Sequence, residues 1–146
     1  MSPSQSPPSP SATVRILHVA MFTAPCAAGV IFGLLLWMGR APLVNPAGFE
    51  APIWIVSTLI AVLTLLGWLW ARPRVPPRPE TASTDAFWSP STRVSALVTW
   101  ALWEGAALAG AAATLVTGSL LTAGLGLVAL ASLLVSGPSA LESRRP

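Results

Sequence analysis

Residues 99–113 read Thr-Trp-Ala-Leu-Trp-Glu-Gly-Ala-Ala-Leu-Ala-Gly-Ala-Ala-Ala. One carboxylate, Glu104, lies inside this apolar run, just after Trp100 and Trp103 and before a series of very small residues. A charge is costly in hydrocarbon, so an ionisable residue within a membrane segment is a candidate functional site. Three further apolar segments surround this one in the chain. The stretch therefore predicts a membrane helix with one polar group near its middle.

The composition is that of a membrane protein. Of 146 residues, 53% are hydrophobic and 9% are charged, against about 25% charged in soluble domains. The single cysteine, Cys26, and the single histidine, His18, exclude an internal disulfide and the usual metal-site spacings. All eight positive charges are arginines, and they form no basic patch interleaved with aromatics. We therefore expect no nucleic-acid partner and no cofactor.

Hydrophobic runs divide the chain into four predicted membrane helices. A Pro/Ser-rich tail precedes them and is predicted to be disordered. A polar loop separates the second and third helices, and breakers such as Pro42, Asn45, Pro46 and Gly48 separate the first two. The predicted boundaries are tail 1–13, helices 16–38, 52–70, 93–117 and 119–136, polar loop 72–92, and basic tail 138–146, with residues 14–137 as one four-helix membrane domain.

The first helix carries two features of its own. Pro25 is expected to kink it. Gly29 with Gly33 is expected to let another helix approach closely, and packing within one bundle is favoured over a dimer interface. A cleaved signal peptide is the alternative interpretation, with Arg15 as its charged region and Cys26 at its small-residue site. The apolar run continues well past that site, which favours a membrane helix.

Aromatic residues and turn residues indicate how the helices are threaded. Trp54 near one end of the second helix, with Trp68 and Trp70 near the other, matches interfacial aromatic belts, and residues 87–88 are expected at the interface before the third helix. Residues 117–119 form a tight turn, which predicts an antiparallel hairpin of helices three and four.

Arginine positions predict the orientation. Seven arginines fall on one side of a four-span protein and Arg40 alone falls on the other, so the positive-inside rule places both termini in the cytoplasm. The seven are Arg15, Arg72, Arg74, Arg78, Arg93, Arg144 and Arg145.

Glu104 is placed near the bilayer midplane by counting from Arg93 at about 1.5 Å per residue. Cys26 is predicted at the same level, and Ser132 at equal depth on the adjoining helix is the expected hydrogen-bond partner. Desolvation favours the neutral acid. Three roles stay open: a buried structural acid, a proton or cation site, and a contact with another subunit.

A weak internal repeat also aligns Arg15 with Arg93, Phe22 with Trp100 and Cys26 with Glu104. Chance similarity between apolar sequences explains this alignment equally well, so both interpretations stay open.

Two resemblances rest on residues 101–108, Ala-Leu-Trp-Glu-Gly-Ala-Ala-Leu. With the tight turn and residues 137–139, this segment resembles a family of small bacterial four-span proteins that carry Ala-Leu-x-Glu-Gly in helix three, and that resemblance implies no particular activity. The segment is also similar to the ion-binding helix of rotor-ring proteolipids of rotary ATPases, whose glutamate carries protons or sodium. Here the glutamate is on the first helix of the hairpin instead of the second, and the glycine-rich partner helix and polar loop are missing, which argues against a rotor function.

The sequence thus predicts an all-α bundle of four transmembrane helices in the bacterial inner membrane. We expect no enzyme activity, because no nucleophile–base set, phosphate loop or metal spacing occurs. The predicted role is that of a structural or accessory subunit, with a proton- or cation-coupled protein using Glu104 as the alternative. The expected partners are the lipid bilayer and either further copies of the chain or a larger membrane complex.

Overall fold

The computed structural model of the chain describes residues 8–40, 42–43 and 50–144. This part of the chain is helical and contains no strand, which confirms the all-α prediction. The helices are α1 Pro10–Trp37, α2 Glu50–Leu66, α3 Thr84–Phe87, α4 Pro90–Thr117, α5 Leu120–Val135 and α6 Pro138–Glu142. A π-helical turn, Gly67–Ala71, and a 3-10 turn, Arg72–Arg74, continue α2.

Three helices have the length and the apolar character needed to cross a membrane. They are Pro10–Trp37, Glu50–Arg74 and Pro90–Thr117, of 28, 25 and 28 residues. Helix α5 has 16 residues, or about 24 Å, which is shorter than the roughly 30 Å of a bilayer's hydrocarbon core. A fourth crossing therefore stays a prediction.

Two helices begin earlier than their hydrophobic runs. The Ser9 hydroxyl caps α1 by accepting from the backbone N–H of Ala12, and Ser89 caps α4 through Thr92. A proline follows each serine at the first helical position, where its missing N–H costs nothing. The predicted starts at residues 16 and 93 were therefore late, and residues 10–13 are helical where a disordered tail was expected.

The predicted polar loop, residues 72–92, contains ordered structure. Ser83 caps the short helix α3, and Phe87 and Trp88 then turn inward, with 5% and 1% of their surface exposed. The Trp88 ring lies 6.4 Å from that of Trp100. The Trp88 indole therefore packs within the protein, and the interfacial depth expected for residues 87–88 stays a prediction.

Helix α4 is the centre of the fold, and it packs against α1, α2 and α5. Along its N-terminal half, large side chains including Trp100, Trp103 and Leu133 form the main buried cluster. Towards its middle, a second cluster consists mainly of alanines around Ile60 of α2. The small residues after Glu104 therefore serve close packing between helices.

The predicted α4–α5 hairpin is confirmed. Gly118 ends α4 in the left-handed conformation, with φ of 67°, as a glycine does without strain. The two helices approach most closely at Gly110 and Gly126, where a Cβ on Gly110 would lie 2.6 Å from the Gly126 Cα.

Unlike Gly110 and Gly126, the pair Gly29 and Gly33 on α1 makes no close contact with another described helix. Among the described residues, no atom of another helix lies within 4 Å of a Cβ placed on either residue. The expected packing of this pair inside the bundle was therefore wrong, because the close approach is made by α4 and α5. Helix α1 runs without a break through the buried Pro25.

The N-terminal part of α1, the α2–α4 connection and the C-terminal segment meet at one end of the molecule. Arg15 pairs with Glu142 at 3.3 Å, Ser11 N–H donates to Asp85, and Arg78 N–H donates to the Arg144 carbonyl. Residues 1–7, 44–49 and 145, on which parts of the predicted tail, loop and arginine count fall, lie outside the described residues.

Candidate functional site

Glu104 lies about halfway along α4 and is partly buried. Trp100, one turn before it, contacts His18 of α1, with ring centroids 4.7 Å apart. Ala107, one turn after it, lines a groove with Pro25 of α1. Side chains three and four residues apart share a helix face, so Glu104 lies on the edge of α4 that is next to α1.

The expected bond between Glu104 and Ser132 is not formed. The Ser132 hydroxyl accepts from the indole N–H of Trp68 at 2.9 Å and donates to the carbonyl of Val128 at 2.8 Å. Trp68 had been assigned to an interfacial belt, and its inward turn gives Ser132 a different partner. Within the described part of the chain, no hydrogen bond or ion pair reaches the Glu104 carboxyl.

Cys26 is a free, partly buried thiol on α1. Since α1 packs along α4 and the adjacent Pro25 lines the groove with Ala107, Cys26 lies on the helix that borders the Glu104 face. No hydrogen bond joins Cys26 to Ser132 in the described part of the chain. The Ser132 hydroxyl accepts from Trp68 instead. The four predicted site residues therefore do not form one cluster.

Three further tryptophans also tie different elements together through the indole N–H. Trp100 donates to the Ser136 carbonyl at 2.9 Å, Trp103 to the Thr64 carbonyl at 3.1 Å, and Trp88 to Glu142 at 2.8 Å. Buried indoles need such partners. Trp103 joins α4 to α2, and Trp100 joins α4 to the end of α5. Trp68 joins the π-helical turn to α5, and Trp88 joins the end of α3 to α6. The sequence shows these tryptophans but does not identify their acceptors. Most of the acceptors are backbone or serine oxygens, which are too common in a chain to be recognised from a pattern.

The C-terminal end of α5 is capped by side chains from other helices. The last carbonyls of a helix have no partner within it. His18 of α1 donates from Nε2 to the Leu133 carbonyl at 3.0 Å, and Trp100 of α4 donates to Ser136. Gly137 leaves room for the imidazole, since a Cβ there would lie 3.2 Å from His18 Cε1. The lone histidine is therefore a buried structural link between α1 and α5.

Two carboxylates at this end of the molecule are well supplied with donors. Glu142 accepts from both Arg15 and Trp88. Asp85 accepts from the Ser11 N–H at 3.1 Å, and hydrogen bonds from Ser11 hold the pKa of Asp85 below its usual value. Both groups fasten chain segments to each other.

An apolar groove of about 230 Å³ runs between α1 and the α4–α5 hairpin. Gly29 and Gly33 form one wall and Ala107, Ala111 and neighbouring residues of α4 and α5 form the other. Its walls offer apolar surface and almost no hydrogen-bonding groups. The groove suits a hydrocarbon chain or an apolar helix, and Glu104 lies one helical turn before Ala107 of its wall.

No protein-family model, no curated protein and no solved structure matches this chain. The resemblances stated from residues 101–108 therefore stay predictions. Among the described residues, no group of three or more His, Cys, Asp or Glu side chains is placed to hold a metal ion.

Proposed function

We propose that this chain is a multi-pass inner-membrane protein that acts as an accessory subunit, with both termini in the cytoplasm. The observation that carries this proposal is the state of α1. Only Val14, His18 and Pro25 are buried among its 28 residues, although it is apolar along most of its length. A helix of this kind is stable in hydrocarbon, and small residues on an open face favour the approach of a second helix.

The lack of a partner for Glu104 among the described residues is a second observation that supports the accessory role. A carboxyl in hydrocarbon is costly unless it has a partner, and Glu104 has none within the described chain. The groove beside it is open, so a polar group from another subunit can reach the carboxyl. Further copies of this chain or a different membrane protein fit this requirement equally.

A cross-linking experiment tests the accessory role. A photoreactive residue at Gly33 in the groove wall is compared with one at Leu59, which is 52% exposed on α2. In native membranes, we expect a defined adduct from position 33 and only lipid adducts from position 59, and Glu104→Leu should reduce the adduct. Equal, diffuse labelling from both positions would contradict a specific subunit contact.

The membrane placement is tested separately with reporter fusions after Ala12, Gly48, Ser83 and Pro146. We expect only the fusion at Gly48 to report the periplasm. A periplasmic result at Ser83 would contradict both the four-span count and the orientation inferred from the arginines.

The second candidate function is proton or cation coupling through Glu104, in line with the similarity to the rotor helix. The partial exposure of this carboxyl favours it, because a carrier group must be reached by its ion. Proton flux through the purified protein alone in liposomes, lost in Glu104→Gln, would support this candidate over the accessory role.

A further inference from the structure

Arg72 is held in an unusual position at the end of the second long apolar helix. Its guanidinium lies over the Trp68 ring, 4.4 Å from the ring centroid. The Trp68 indole is itself fixed by its hydrogen bond to Ser132. A cation stacked on an aromatic face keeps its outer N–H groups available, so the stack fixes the guanidinium without using its donor edge.

A second positive charge is brought close to Arg72. Val75, three residues after Arg72, and Leu141, three residues before Arg144, belong to one buried cluster, and the charge of Arg144 acts on Arg72. Arg144 is anchored by its main chain, because its carbonyl accepts from Arg78 N–H at 3.0 Å and its N–H donates to the Leu141 carbonyl at 3.3 Å. Two positive charges are therefore brought to the same end of the molecule.

No ion pair between a carboxylate and the Arg72 guanidinium is formed among the described residues. The Nε of Arg72 is buried and has no hydrogen-bond partner in that part of the chain. Glu142, the carboxylate in the segment just before Arg144, is already bound to Arg15 and Trp88. An oxyanion bound by the outer N–H groups of Arg72 and Arg144 would remove the repulsion between the two charges.

The surroundings favour one source for that oxyanion. Leu65 and Leu69, on the turns that precede Arg72, are 55% and 76% exposed, so this end of the helix carries exposed apolar surface. Next to this surface, Arg74 lies over the Trp70 ring at 3.8 Å. Tryptophan and arginine at the end of an apolar helix are typical of headgroup depth, and basic groups there bind anionic headgroups.

We propose that Arg72 and Arg144 bind the phosphate of an anionic glycerophospholipid, with Trp68 holding Arg72 in place and an acyl chain lying along Leu69 and Leu65. Arginine suits this ligand because its planar fork donates two parallel hydrogen bonds to phosphate oxygens. The inference rests on the proposed membrane placement and does not depend on the accessory role.

The test uses the purified chain in phosphatidylcholine vesicles with a trace of spin-labelled lipid. The immobilised fraction of spin-labelled phosphatidylglycerol is compared with that of spin-labelled phosphatidylcholine. We expect the wild type to prefer phosphatidylglycerol, and each arginine removed to lower the preference by about fivefold. The variants are Arg72→Gln and the exposed Arg144→Gln, with Arg40→Gln at the opposite end as the matched control.

Three outcomes decide the proposal. Loss of the preference in both variants, with Arg40→Gln unchanged, supports it. No preference in the wild type, or a full preference in Arg72→Gln and Arg144→Gln, overturns it. Displacement of the labelled lipid by inorganic phosphate would show a site for the free anion and would overturn the lipid assignment. Flotation of the vesicles with bound protein checks membrane insertion independently, and helix content by circular dichroism shows whether each variant folds.

Discussion

The indole N–H of Trp103 donates to the carbonyl of Thr64 at 3.1 Å, and Gly67 lies directly against the same ring. A Cβ on Gly67 would be 2.3 Å from Trp103 Nε1. The hydrogen bond and the missing side chain are two parts of one contact between α2 and α4. This contact lies where α2 passes into its π-helical turn.

Replacing Gly67 by alanine should destabilise the protein, because the Trp103 ring is fully buried and cannot move without breaking its hydrogen bond. Overpacking of this kind costs about 1–3 kcal/mol. The measurement is thermal unfolding in mild detergent. Gly105→Ala is the matched control, since no atom lies within 4 Å of its Cβ, and it should be neutral or slightly stabilising. Equal stability of the two variants would contradict this contact.

Gly110→Ala should open the α4–α5 hairpin. Its Cβ would meet backbone atoms of Gly126 and Thr122 at 2.6–3.0 Å, and backbone cannot yield as a flexible side chain does. We expect a lower unfolding temperature and faster hydrogen exchange in residues 120–135. Gly124→Ala, on the same hairpin but facing open space, should change neither quantity. A hairpin that tolerates both variants alike would show that the helices do not touch at Gly110.

How much of this architecture is visible in the sequence depends on the type of contact. The helices and the Gly118 turn are predictable because hydropathy and backbone conformation are local properties. The roles of Trp68 and Trp88 are not, since a tryptophan near a helix end suits a lipid interface and a packed core equally well. The distinction depends on whether an acceptor such as Ser132 or Glu142 faces the indole in the fold, which no local pattern records.

The same reasoning applies to the predicted site. Glu104 lies about halfway along α4, and its predicted depth near the bilayer midplane stays a prediction. Its expected partner was wrong, because equal depth does not fix which faces of two helices meet. Gly29 and Gly33 show the converse: a small-residue pattern permits close packing, but Gly110 and Gly126 are the residues that use it.

Acidification should weaken the attachment of α3 to the start of α1. Asp85 has a folded-state pKa below its usual value because of hydrogen bonds from Ser11. Its stabilising effect is therefore complete above the unfolded-state pKa, about 3.9, and is lost as the pH falls through the lower folded-state value. Protection of the Ser11 amide, expressed relative to the intrinsic exchange rate at each pH, should fall as the pH is taken well below about 3.9.

Two variants check the origin of that pH dependence. Asp85→Asn should remove most of it, since its amide does not titrate. Ser11→Ala keeps the backbone donor and loses the hydroxyl, so it should reduce the dependence without abolishing it. An unchanged pH response in Asp85→Asn would assign the effect to another group.

Glu104→Gln and Glu104→Leu distinguish the roles proposed for the carboxyl. The isolated protein should lose little stability in either variant, because Glu104 makes no hydrogen bond within the described chain and an average interhelical hydrogen bond in a membrane is worth only about 0.6 kcal/mol. In the accessory role, Gln should keep the subunit contact, since it can still donate a hydrogen bond, whereas Leu should lose it. In the coupled role, both variants should lose ion flux, because neither releases a proton.

The measurements are unfolding temperature in detergent, cross-linking from Gly33, and proton flux in liposomes. A large loss of stability in Glu104→Gln alone would contradict both roles, because it would mean that the carboxyl is a structural group bonded within the bundle.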